Sequence, residues 1–453
     1  MKNIINKFLL TLVALTLSSV VAFAETVAVA PSDGNGAVGT PWQIATLANL
    51  RWISETSSEW VADKYFIQTA DINASDTTTW NTEAGFSPIG NNGARFYANY
   101  DGQGYEISNL FINRTGDTRV GLFGYTQDAA ISNMTIKDIN MTVSNSTNTN
   151  YYGALVGYAY STSGATTTIS NIDVIGGTIL NNGTSATSDV NLGGAIGGVI
   201  GSGSIENVHA SIDINTTNTS ASTYMGGLIG ILRGSFDVNK TSADGGSIYK
   251  SNTGPFIGGL IGTIQASSGD INISNSYSNT SLTAAAGVTT AGFVAYIKND
   301  DTDWLYINNS YSTSDINVTG SSDRVAGFYG SINKRTTFTK VYSASTINVL
   351  TPSGNEGGFG GYHTPGIAEI ERINFYNTFW DQNATNNITN ALGANGVPSN
   401  IGVNELNATD TTQTKTLSTF TDAGWDFETE TANGTANIWD IDNINGTINN
   451  GYP

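Results

Sequence analysis

The amino-acid sequence predicts an all-β protein folded as a parallel β-solenoid, in which the chain winds into stacked coils. Three observations predict this fold: a glycine motif that recurs eight times, alternation of apolar and polar residues after each copy, and residues of one type at one repeat position. The composition agrees, because the 453 residues include 52 glycines, 39% are hydrophobic and only 12% are charged. Such a composition favours strands and tight turns over helices.

The glycine motif defines the repeat. Aligned on their last residue, successive copies are separated by 33, 40, 33, 32, 33, 35 and 31 residues. The copies are VGLFG ending at Gly124, GALVG at Gly157, GGAIG at Gly197, GGLIG at Gly230, GGLIG at Gly262, AGFVA at Ala295, AGFYG at Gly330 and GGFGG at Gly361. A propeller is the rival fold, but the period is short for a four-stranded blade, which usually takes about 40–45 residues.

A second segment follows each glycine motif after a turn of variable length. Apolar and polar residues alternate in it, which predicts a strand with one buried face. The segments are ISNMTI (131–136), ISNIDV (169–174), IENVHASIDI (205–214), ISNSYSNTSL (273–282), INNSYSTSDINV (307–318), FTKVYSASTINV (338–349) and INFYNTFW (373–380). The copy between 231 and 257 is the least regular, and SFDVN (235–239) is its counterpart.

Equivalent residues recur once per repeat within these segments. One position is filled by asparagine, with Lys340 in one copy: Asn133, Asn171, Asn207, Asn275, Asn309 and Asn374. A position two residues further on is filled by tyrosine: Tyr277, Tyr311, Tyr342 and Tyr376. Such columns predict ladders of like residues between coils stacked at the strand spacing of about 4.8 Å.

The glycines themselves need an explanation, because glycine weakens a strand. IGGLIGTI (257–264) places three of them among branched apolar residues. We expect Gly259 and Gly262 to permit a tight bend or a close approach of backbones inside a narrow solenoid.

Residues 1–24 are predicted to be a signal peptide. Lys2 and Lys7 form a basic start, residues 8–21 are apolar, and Ala22-Phe23-Ala24 provides a small-residue cleavage pattern. A membrane anchor is the alternative, but the apolar run is short for a span and ends at a cleavage-type sequence. The protein is therefore expected to be exported, to the extracellular space or cell surface or into the periplasm.

The mature chain is expected to have four parts. Residues 25–38 form a linker, and 39–112 form an N-terminal cap with the first coils, including a helix within 44–64 that covers the open end of the solenoid. Residues 113–381 form the repeat β-helix. Residues 382–453, rich in large aromatic residues, form an irregular C-terminal cap.

The glycine motifs and the segments of the form I-x-N-S-Y-S resemble the GLUG-motif repeat of bacterial exported and surface proteins, including part of certain immunoglobulin-A-cleaving metallopeptidases. The resemblance covers roughly residues 39–453, with flanks such as TPWQIATLANL (40–50) and YDGQGYEISNLFI (100–112). It implies a right-handed parallel β-helix used in adhesion or surface display. The peptidase activity does not carry over, because the HExxH zinc motif is missing from the sequence.

No catalytic residue can be nominated from the sequence. His209 falls in the tyrosine column, which favours a place in an aromatic ladder, and His363 precedes a proline, which favours a surface turn. A glycoside hydrolase needs two carboxylates roughly 5–10 Å apart, and acids such as Asp173 and Asp213 are too common here to single out a pair.

No cofactor-binding or metal-binding residue is nominated either. Calcium in a loop is a weak alternative, since oxygen-rich clusters suit a hard cation. The candidate loops are DGNG (33–36), NDDTD (299–303) and WDIDNING (439–446). The absence of cysteine excludes disulfides and thiolate metal sites.

The charge balance bears on partners. Loss of Lys2 and Lys7 leaves 16 basic against 37 acidic residues, a formal net charge of −21. This acidity disfavours nucleic acid and anionic lipid as partners. We expect a non-enzymatic, adhesin-like protein that binds a host or matrix surface, glycan or protein, through polar faces and loops around 143–150, 180–190 and 215–223.

Two other functions stay open. One is a carbohydrate-active enzyme of the β-helix type, a polysaccharide lyase or glycoside hydrolase, which would need convergent carboxylates, or carboxylates and a base, on one lateral face. The other, more remote, is a water-ordering surface of the ice-binding kind. The oligomeric state is not predicted.

Overall fold

The protein is a parallel β-solenoid of about nine turns. The computed structural model describes residues 25–144, 148–183, 188–217, 222–298, 302–321, 324–333, 335–363, 373–386, 388–393, 406–428, 431–441 and 451–453. The predicted signal peptide, the tips of the three predicted binding loops and parts of two predicted calcium loops lie outside these residues. All pairings between named strands are parallel and join neighbouring coils, which confirms the predicted fold class.

Each repeat begins with a short strand that ends at or just before the glycine motif. Eight such strands pair in sequence order and form a separate sheet, the short-strand sheet. They are Arg119–Val120, Asn150–Gly153, Val190–Gly193, Thr223–Gly226, Phe256–Gly258, Thr289–Ala291, Val325–Ala326 and Glu356–Gly357.

The chain then turns through the glycine motif into a second set of strands, the corner strands. Two of them run without a break into the next side of the coil. The strands that start at these corners are Phe123–Gln127, Val156–Tyr160, Ile196–Thr216, Ile229–Lys250, Ile261–Ala266, Val294–Ile297, Tyr329–Ile332 and Gly360–His363.

The asparagine and tyrosine columns lie on a third set, the ladder strands, which belong to the same large sheet as the corner strands. In two repeats they are the second halves of the long strands named above. The others are Ala130–Ser144, Thr167–Asn181, Ile271–Ser274, Tyr277–Ala284, Leu305–Ser312, Asp315–Ser321, Thr336–Ser343, Thr346–Thr351, Ile373–Tyr376 and Thr378–Asp381.

The N-terminal region closes the first coil. Helix α1 (Leu47–Glu55) begins at Thr46, whose hydroxyl accepts a hydrogen bond from the Asn49 amide in a capping box. Its Leu50 and Ile53 are fully buried, so α1 covers the solenoid end as predicted. Two short 3₁₀ helices and six strands complete this region: Ser57–Glu59, Ser75–Thr79, Trp42–Ile44, Tyr65–Gln68, Ile72–Asn73, Asn99–Asp101, Glu106–Ser108 and Phe111–Thr115.

The C-terminal cap covers the last coil. A strand, Leu406–Thr409, pairs with Thr378–Asp381, and two short helices follow, α2 (Thr411–Thr414) and α3 (Leu417–Thr421). The cap brings a second cluster of buried aromatic residues over the tyrosine column: Phe420, Trp425, Phe427 and Trp439.

Backbone contact explains the glycines of the motif. A Cβ on Gly262 would lie 2.6 Å from the carbonyl oxygen of Gly230 in the preceding coil. A Cβ on Gly259 would lie 2.0 Å from the carbonyl oxygen of Gly292 and 2.3 Å from the Ser278 hydroxyl. Neither glycine has a left-handed φ. Both predicted features are present: the chain bends at residues 259–260, and the close approach of backbones is what requires glycine there.

Buried hydroxyl groups of the ladder strands fill the space beside these glycines. Ser314 Oγ donates to the Gly292 carbonyl at 3.1 Å, and Ser345 Oγ donates to the Gly327 carbonyl at 2.9 Å. Ser278 and Ser314 hydroxyls are also 3.0 Å apart. Since these serines are fully buried, their hydrogen bonds satisfy carbonyls that the glycine turns would otherwise leave unpaired.

The asparagine column forms a hydrogen-bonded ladder on left-handed backbone. Asn133, Asn171 and Asn207 have φ of 56°, 55° and 54°. Asn171 Nδ2 donates to Asn133 Oδ1 at 2.8 Å, and Asn207 Nδ2 donates to Asn171 Oδ1 at 3.0 Å. Lys240 has the same left-handed φ, 52°, so the irregular copy forms the same coil with lysine in the asparagine position.

The register of the last copy corrects the sequence prediction by three residues. Asn377, rather than Asn374, has the left-handed φ of this column. Phe379, rather than Tyr376, pairs with Tyr342. The prediction for Asn374 and Tyr376 was wrong because this copy contains a second asparagine and a second aromatic residue three positions later, and the wrong pair was chosen.

Candidate functional site: a band of tyrosines and arginines

Two rows of side chains meet on the outside of the solenoid, where the short-strand sheet adjoins the corner strands. The row on the short-strand side consists of Arg119, Tyr151, Asn191, Tyr224, Phe256, Thr289, Arg324 and Asn355. The row on the corner strands consists of Tyr125, Tyr158, Gly198, Ile231, Thr263, Tyr296, Ser331 and Tyr362. We call the two rows together the aromatic band.

The rows touch each other where the short-strand sheet adjoins the corner strands. The Tyr151 ring stacks on Tyr158 with centroids 4.3 Å apart, and Phe256 stacks on Tyr296 at 4.6 Å. A Cβ on Gly198 would lie 2.5 Å from Cδ1 of Tyr151, so this glycine makes room for the ring. The band is therefore a continuous surface formed by both sheets.

The first aromatic cluster lies in the first two repeats. The Tyr125 and Tyr158 rings are 5.0 Å apart, and the Arg119 guanidinium lies 4.6 Å from the Tyr125 centroid and 5.0 Å from that of Tyr158. Tyr125 has a second cationic neighbour, Arg95 of the N-terminal region, whose guanidinium lies 4.8 Å from the ring centroid. Cation–π attraction therefore fixes both guanidinium groups against the rings.

The second aromatic cluster lies in the fourth to sixth repeats. Tyr224 and Phe256 are stacked with centroids 5.4 Å apart and an angle of 8° between the planes, and Tyr296 continues the stack. Arg324 follows, with its guanidinium 4.2 Å from the Tyr362 centroid. All these side chains are half-buried, so each presents part of its surface to solvent.

The tyrosine hydroxyls of the band are held in their neutral form. Burial is the main cause that raises the pKa of Tyr151, Tyr158, Tyr224 and Tyr296 above the usual value of 10. At neutral pH these residues therefore provide uncharged rings and hydroxyl donors, and their raised pKa values disfavour a role as a general base.

Four arginines lie along the band without an acidic partner. Within the described part of the chain, Arg95, Arg119, Arg233 and Arg324 form no ion pair. Arg95 donates to the side-chain oxygen of Gln127, and Arg119 donates to the hydroxyl of Thr118 at 3.2 Å and to Asn92. The buried Arg119 Nε has no hydrogen-bond partner among the described residues.

Two cavities adjoin the first cluster. One, of about 560 Å³, is lined by Tyr160 and Arg233 together with serines and glycines of successive turns. The other, of about 450 Å³, lies at the N-terminal end of the band, and its lining includes Arg119, Glu55 and Asp117.

The carboxylates at this end are of interest for the enzyme alternative. Glu55 Oε1 lies 2.7 Å from Arg51 Nε, so this carboxylate is already engaged in an ion pair. The two acids weighed in the sequence lie elsewhere, on the exposed side of the ladder strands. Asp173 pairs with His209 in the next coil, and Asp213 pairs with Thr178. The structure thus does not bring Asp173 and Asp213 together.

One of the two histidines lies where the sequence predicts it and the other does not. His209 occupies the predicted column, opposite Ser242, and its ring nitrogens lie 2.7 Å from the Ser242 hydroxyl and 3.1 Å from Asn207 Oδ1. His363 was predicted on a surface turn, which is wrong. It ends a corner strand, is fully buried, and its Nε2 lies 2.6 Å from the Tyr329 hydroxyl.

The predicted calcium loops receive no support as a metal centre. In the part of the chain that the structure describes, no group of three or more histidine or acidic residues is placed to hold a metal ion. In DGNG, Asn35 Oδ1 accepts hydrogen bonds from Ala37 N and Thr40 Oγ1, as in an ordinary polar turn. Residues 299–301 and 442–446 of the other two loops lie outside the described residues.

The aromatic band was missed in the sequence, although a signal for it exists. The residue directly after the last position of the glycine motif is tyrosine in four of the eight copies: Tyr125, Tyr158, Tyr296 and Tyr362. In four copies an aromatic residue or arginine stands six residues before the last position of the motif: Tyr151, Tyr224, Phe256 and Arg324. The signal is weak because the same two columns also contain small or polar residues, such as Asn191, Gly198 and Thr263.

None of the helices in the described part of the chain combines the length and apolar character that crossing a membrane requires. No model of a protein family matches the chain. A solved structure of a protein named as an immunoglobulin A1 protease from Bacteroides ovatus aligns over 74% of this chain and 86% of its own, with 16% identity and a TM-score of 0.42.

Two curated relatives match part of the sequence. Halomucin from Haloquadratum walsbyi is 38% identical over 118 residues, which are 25% of this chain and 1% of halomucin. A protein named as a Gly-rich membrane protein from Evansella cellulosilytica is 31% identical over 116 residues, 25% of this chain and 13% of that protein. The chain thus spans a small part of these relatives, and it is similar to segments of proteins whose names point to the cell surface.

Proposed function

We propose that this protein is an exported, non-enzymatic β-helix of the GLUG-motif kind that acts at the cell surface by binding glycan chains along the aromatic band. The observation that carries the proposal is the set of half-buried rings in the two rows of the band, with Tyr151, Tyr224 and Phe256 in the short-strand row and Tyr296 in the corner row. Because the rings of Tyr224, Phe256 and Tyr296 stack on one another, they expose their apolar edges and the tyrosine hydroxyls. A sugar ring presents C–H groups and hydroxyl groups that can contact these edges and polar tips.

The open shape favours a polymer over a small ligand. A site for a small molecule is usually a concave pocket that encloses its ligand. The band instead extends over eight repeats, about 34 Å at the usual strand spacing. A long chain can contact several coils at once, so that weak contacts add up to useful affinity.

The chemistry of the band favours binding over catalysis. Its tyrosines stay protonated, and no carboxylate belongs to either of its rows. The enzyme alternative depends on two cavities that carry a pair of carboxylates. One lies at the N-terminal end, with Asp117 and the ion-paired Glu55, and the other is lined by Asp237 and Asp270. A hydrolase or lyase would act at one of these two places.

The test is a panel of neutral and acidic polysaccharides run as affinity electrophoresis with the mature protein. The variant Tyr224→Ala/Phe256→Ala removes two stacked rings and should weaken binding about tenfold or more. Tyr249→Ala is the matched control, since this tyrosine is 44% exposed and lies off the band on a ladder strand.

Three results would contradict the proposal. The first is a failure to bind any polysaccharide in the panel, and the second is binding that Tyr224→Ala/Phe256→Ala leaves unchanged. The third is release of reducing ends or unsaturated sugars from a bound polymer, which would favour the enzyme. Binding of matrix proteins through the same rings would identify a protein ligand instead.

A further inference from the structure

We infer that the ligand of the aromatic band is an acidic polysaccharide, whose carboxylate or sulfate groups are bound by Arg119, Arg233 and Arg324. This inference rests on the proposed function and narrows it to one chemical class. It starts from a contrast: without residues 1–24 the chain has an excess of 21 negative charges, yet the two rows hold Arg119 and Arg324 and no carboxylate. Beside the rows lie Arg233 and one acid, Asp189, which acts on Tyr151 and Tyr224.

The arginines of the band differ from other basic residues in how they are used. Arg51, Lys64 and Lys137 are each within 3.6 Å of a glutamate. Arg119 and Arg324 are instead held against tyrosine rings, and neither forms an ion pair in the described residues. Acidic residues outnumber basic ones by more than two to one, so several arginines along one band without an ion pair in the described residues need a cause other than folding.

Their geometry suits oxyanions. A guanidinium group that stacks on a ring has its plane fixed while the N–H edge stays available, and this edge binds a carboxylate or sulfate through two parallel hydrogen bonds. Arg119 Nη1 already donates to Thr118 and Asn92 and its Nε is buried, so within the described chain Nη2 is the nitrogen that remains for a ligand. A lysine would provide charge without this planar arrangement.

The spacing suits a polymer with repeated charges. Arg119, Arg233 and Arg324 belong to the first, fourth and seventh repeats, counted by their glycine motifs. Consecutive members are therefore three coils apart, about 14 Å at the usual strand spacing. Arg119 and Arg324 stand in the short-strand row, and Arg233 stands on a corner strand. The Tyr151 ring lies between Arg119 and Arg233 along the solenoid axis, and the rings of Phe256 and Tyr296 lie between Arg233 and Arg324. Charged and aromatic side chains thus alternate along the axis.

The overall charge sets the salt dependence. At physiological ionic strength the field of the distant acidic residues is screened beyond about 8 Å, so the local arginines dominate at the band. We expect binding of an acidic polymer to weaken as sodium chloride rises, and binding of a neutral polymer to stay nearly constant.

The experiment uses three polymers with one backbone: dextran, carboxymethyl-dextran and dextran sulfate, with double-stranded DNA as a further polyanion. The mature protein should bind at least one acidic dextran about tenfold or more tightly than dextran. The preferred derivative then shows whether carboxylate or sulfate is the recognised group. Arg233→Gln/Arg324→Gln should remove this preference, and Lys137→Gln/Lys240→Gln, which loses the same charge off the band, should retain it.

Each outcome has a separate meaning. Equal binding of all three dextrans, unchanged in the arginine variant, overturns the acidic ligand but leaves glycan binding intact, provided that Tyr224→Ala/Phe256→Ala still weakens it. Binding of none of the dextrans overturns the inference, and the wider polysaccharide panel then decides the proposed function. DNA bound as tightly as dextran sulfate through the same arginines would overturn the assignment to a polysaccharide.

Discussion

The Ser278 hydroxyl occupies the place where a Cβ of Gly259 would stand, since only 2.3 Å would separate the two atoms. One residue belongs to the glycine motif and the other to the N-S-Y-S segment that follows it. The two sequence signatures are therefore two sides of one contact in the coils that carry both, as Gly292 with Ser312 and Gly327 with Ser343 also show.

Substitution of the motif glycines should destabilise the coil. Gly262→Val places new atoms against the Gly230 carbonyl, and we expect a loss of about 3 kcal/mol in the free energy of unfolding. Thermal unfolding followed by circular dichroism measures it. Gly39→Ala is the matched control, because a Cβ there meets nothing within 4 Å. Equal melting temperatures for Gly262→Val and the unmodified protein would refute close approach as the role of this glycine.

Lys240→Asn should stabilise the protein. Lys240 has a φ of 52°, a conformation that asparagine adopts more readily than lysine. The new side chain would also restore the ladder position between Asn207 and Asn275. We expect a gain of about 0.5–1 kcal/mol, measured as a rise in melting temperature. Lys137→Asn, which removes the same charge at a position without left-handed backbone, should give no gain, and a fall for Lys240→Asn would contradict the ladder.

Removal of a cap tryptophan should open the C-terminal end. Trp439 is 5% exposed and lies 4.5 Å from Trp425 and 6.1 Å from Tyr342, where the tyrosine stack ends. We expect Trp439→Ala to cost about 3–5 kcal/mol and to increase binding of a hydrophobic dye. Trp304→Ala, at a half-buried tryptophan outside the cap, should cost less. Similar losses for both variants would show that the cap does not depend on Trp439.

The free energy of unfolding should depend on pH through the buried amine of Lys250. Lys250 is fully buried, and burial lowers its pKa from 10.5 to about 8. Between these values the unfolded chain binds more protons, so stability should rise with pH from about 8 by up to about 3 kcal/mol. Buried tyrosines such as Tyr152 act in the opposite sense, because their raised pKa values make stability fall above pH 10. Denaturant unfolding at pH 7, 8, 9 and 10 tests this.

Lys250→Met separates the two effects. The variant keeps a long apolar side chain without the amine, so its stability should be flat between pH 8 and 10 and should fall above pH 10 as before. A slope that persists in Lys250→Met would assign the effect to another group.

The sequence was sufficient for the fold because each coil repeats the same contacts, and repetition is visible as columns. The sequence was less reliable where one copy can be aligned to the repeat in two ways, as with Asn374 and Asn377. His363 was misplaced since its neighbours resemble a turn, whereas its burial depends on the Tyr329 hydroxyl of the preceding coil. The aromatic band is hard to predict because it joins residues of two sheets, and the bend between their strands brings the Tyr151 ring onto Tyr158.

Because each coil contributes one position to each row of the band, the length of the band changes only by whole coils. Each repeat contacts chiefly its two neighbours, so a coil gained or lost by recombination within the gene would leave the interior of the others unchanged. The same event would move Arg233 relative to Arg324 by one strand spacing, about 4.8 Å. Relatives of this protein could thus acquire binding bands of different length, suited to different polymers, while the packing of their cores stays the same.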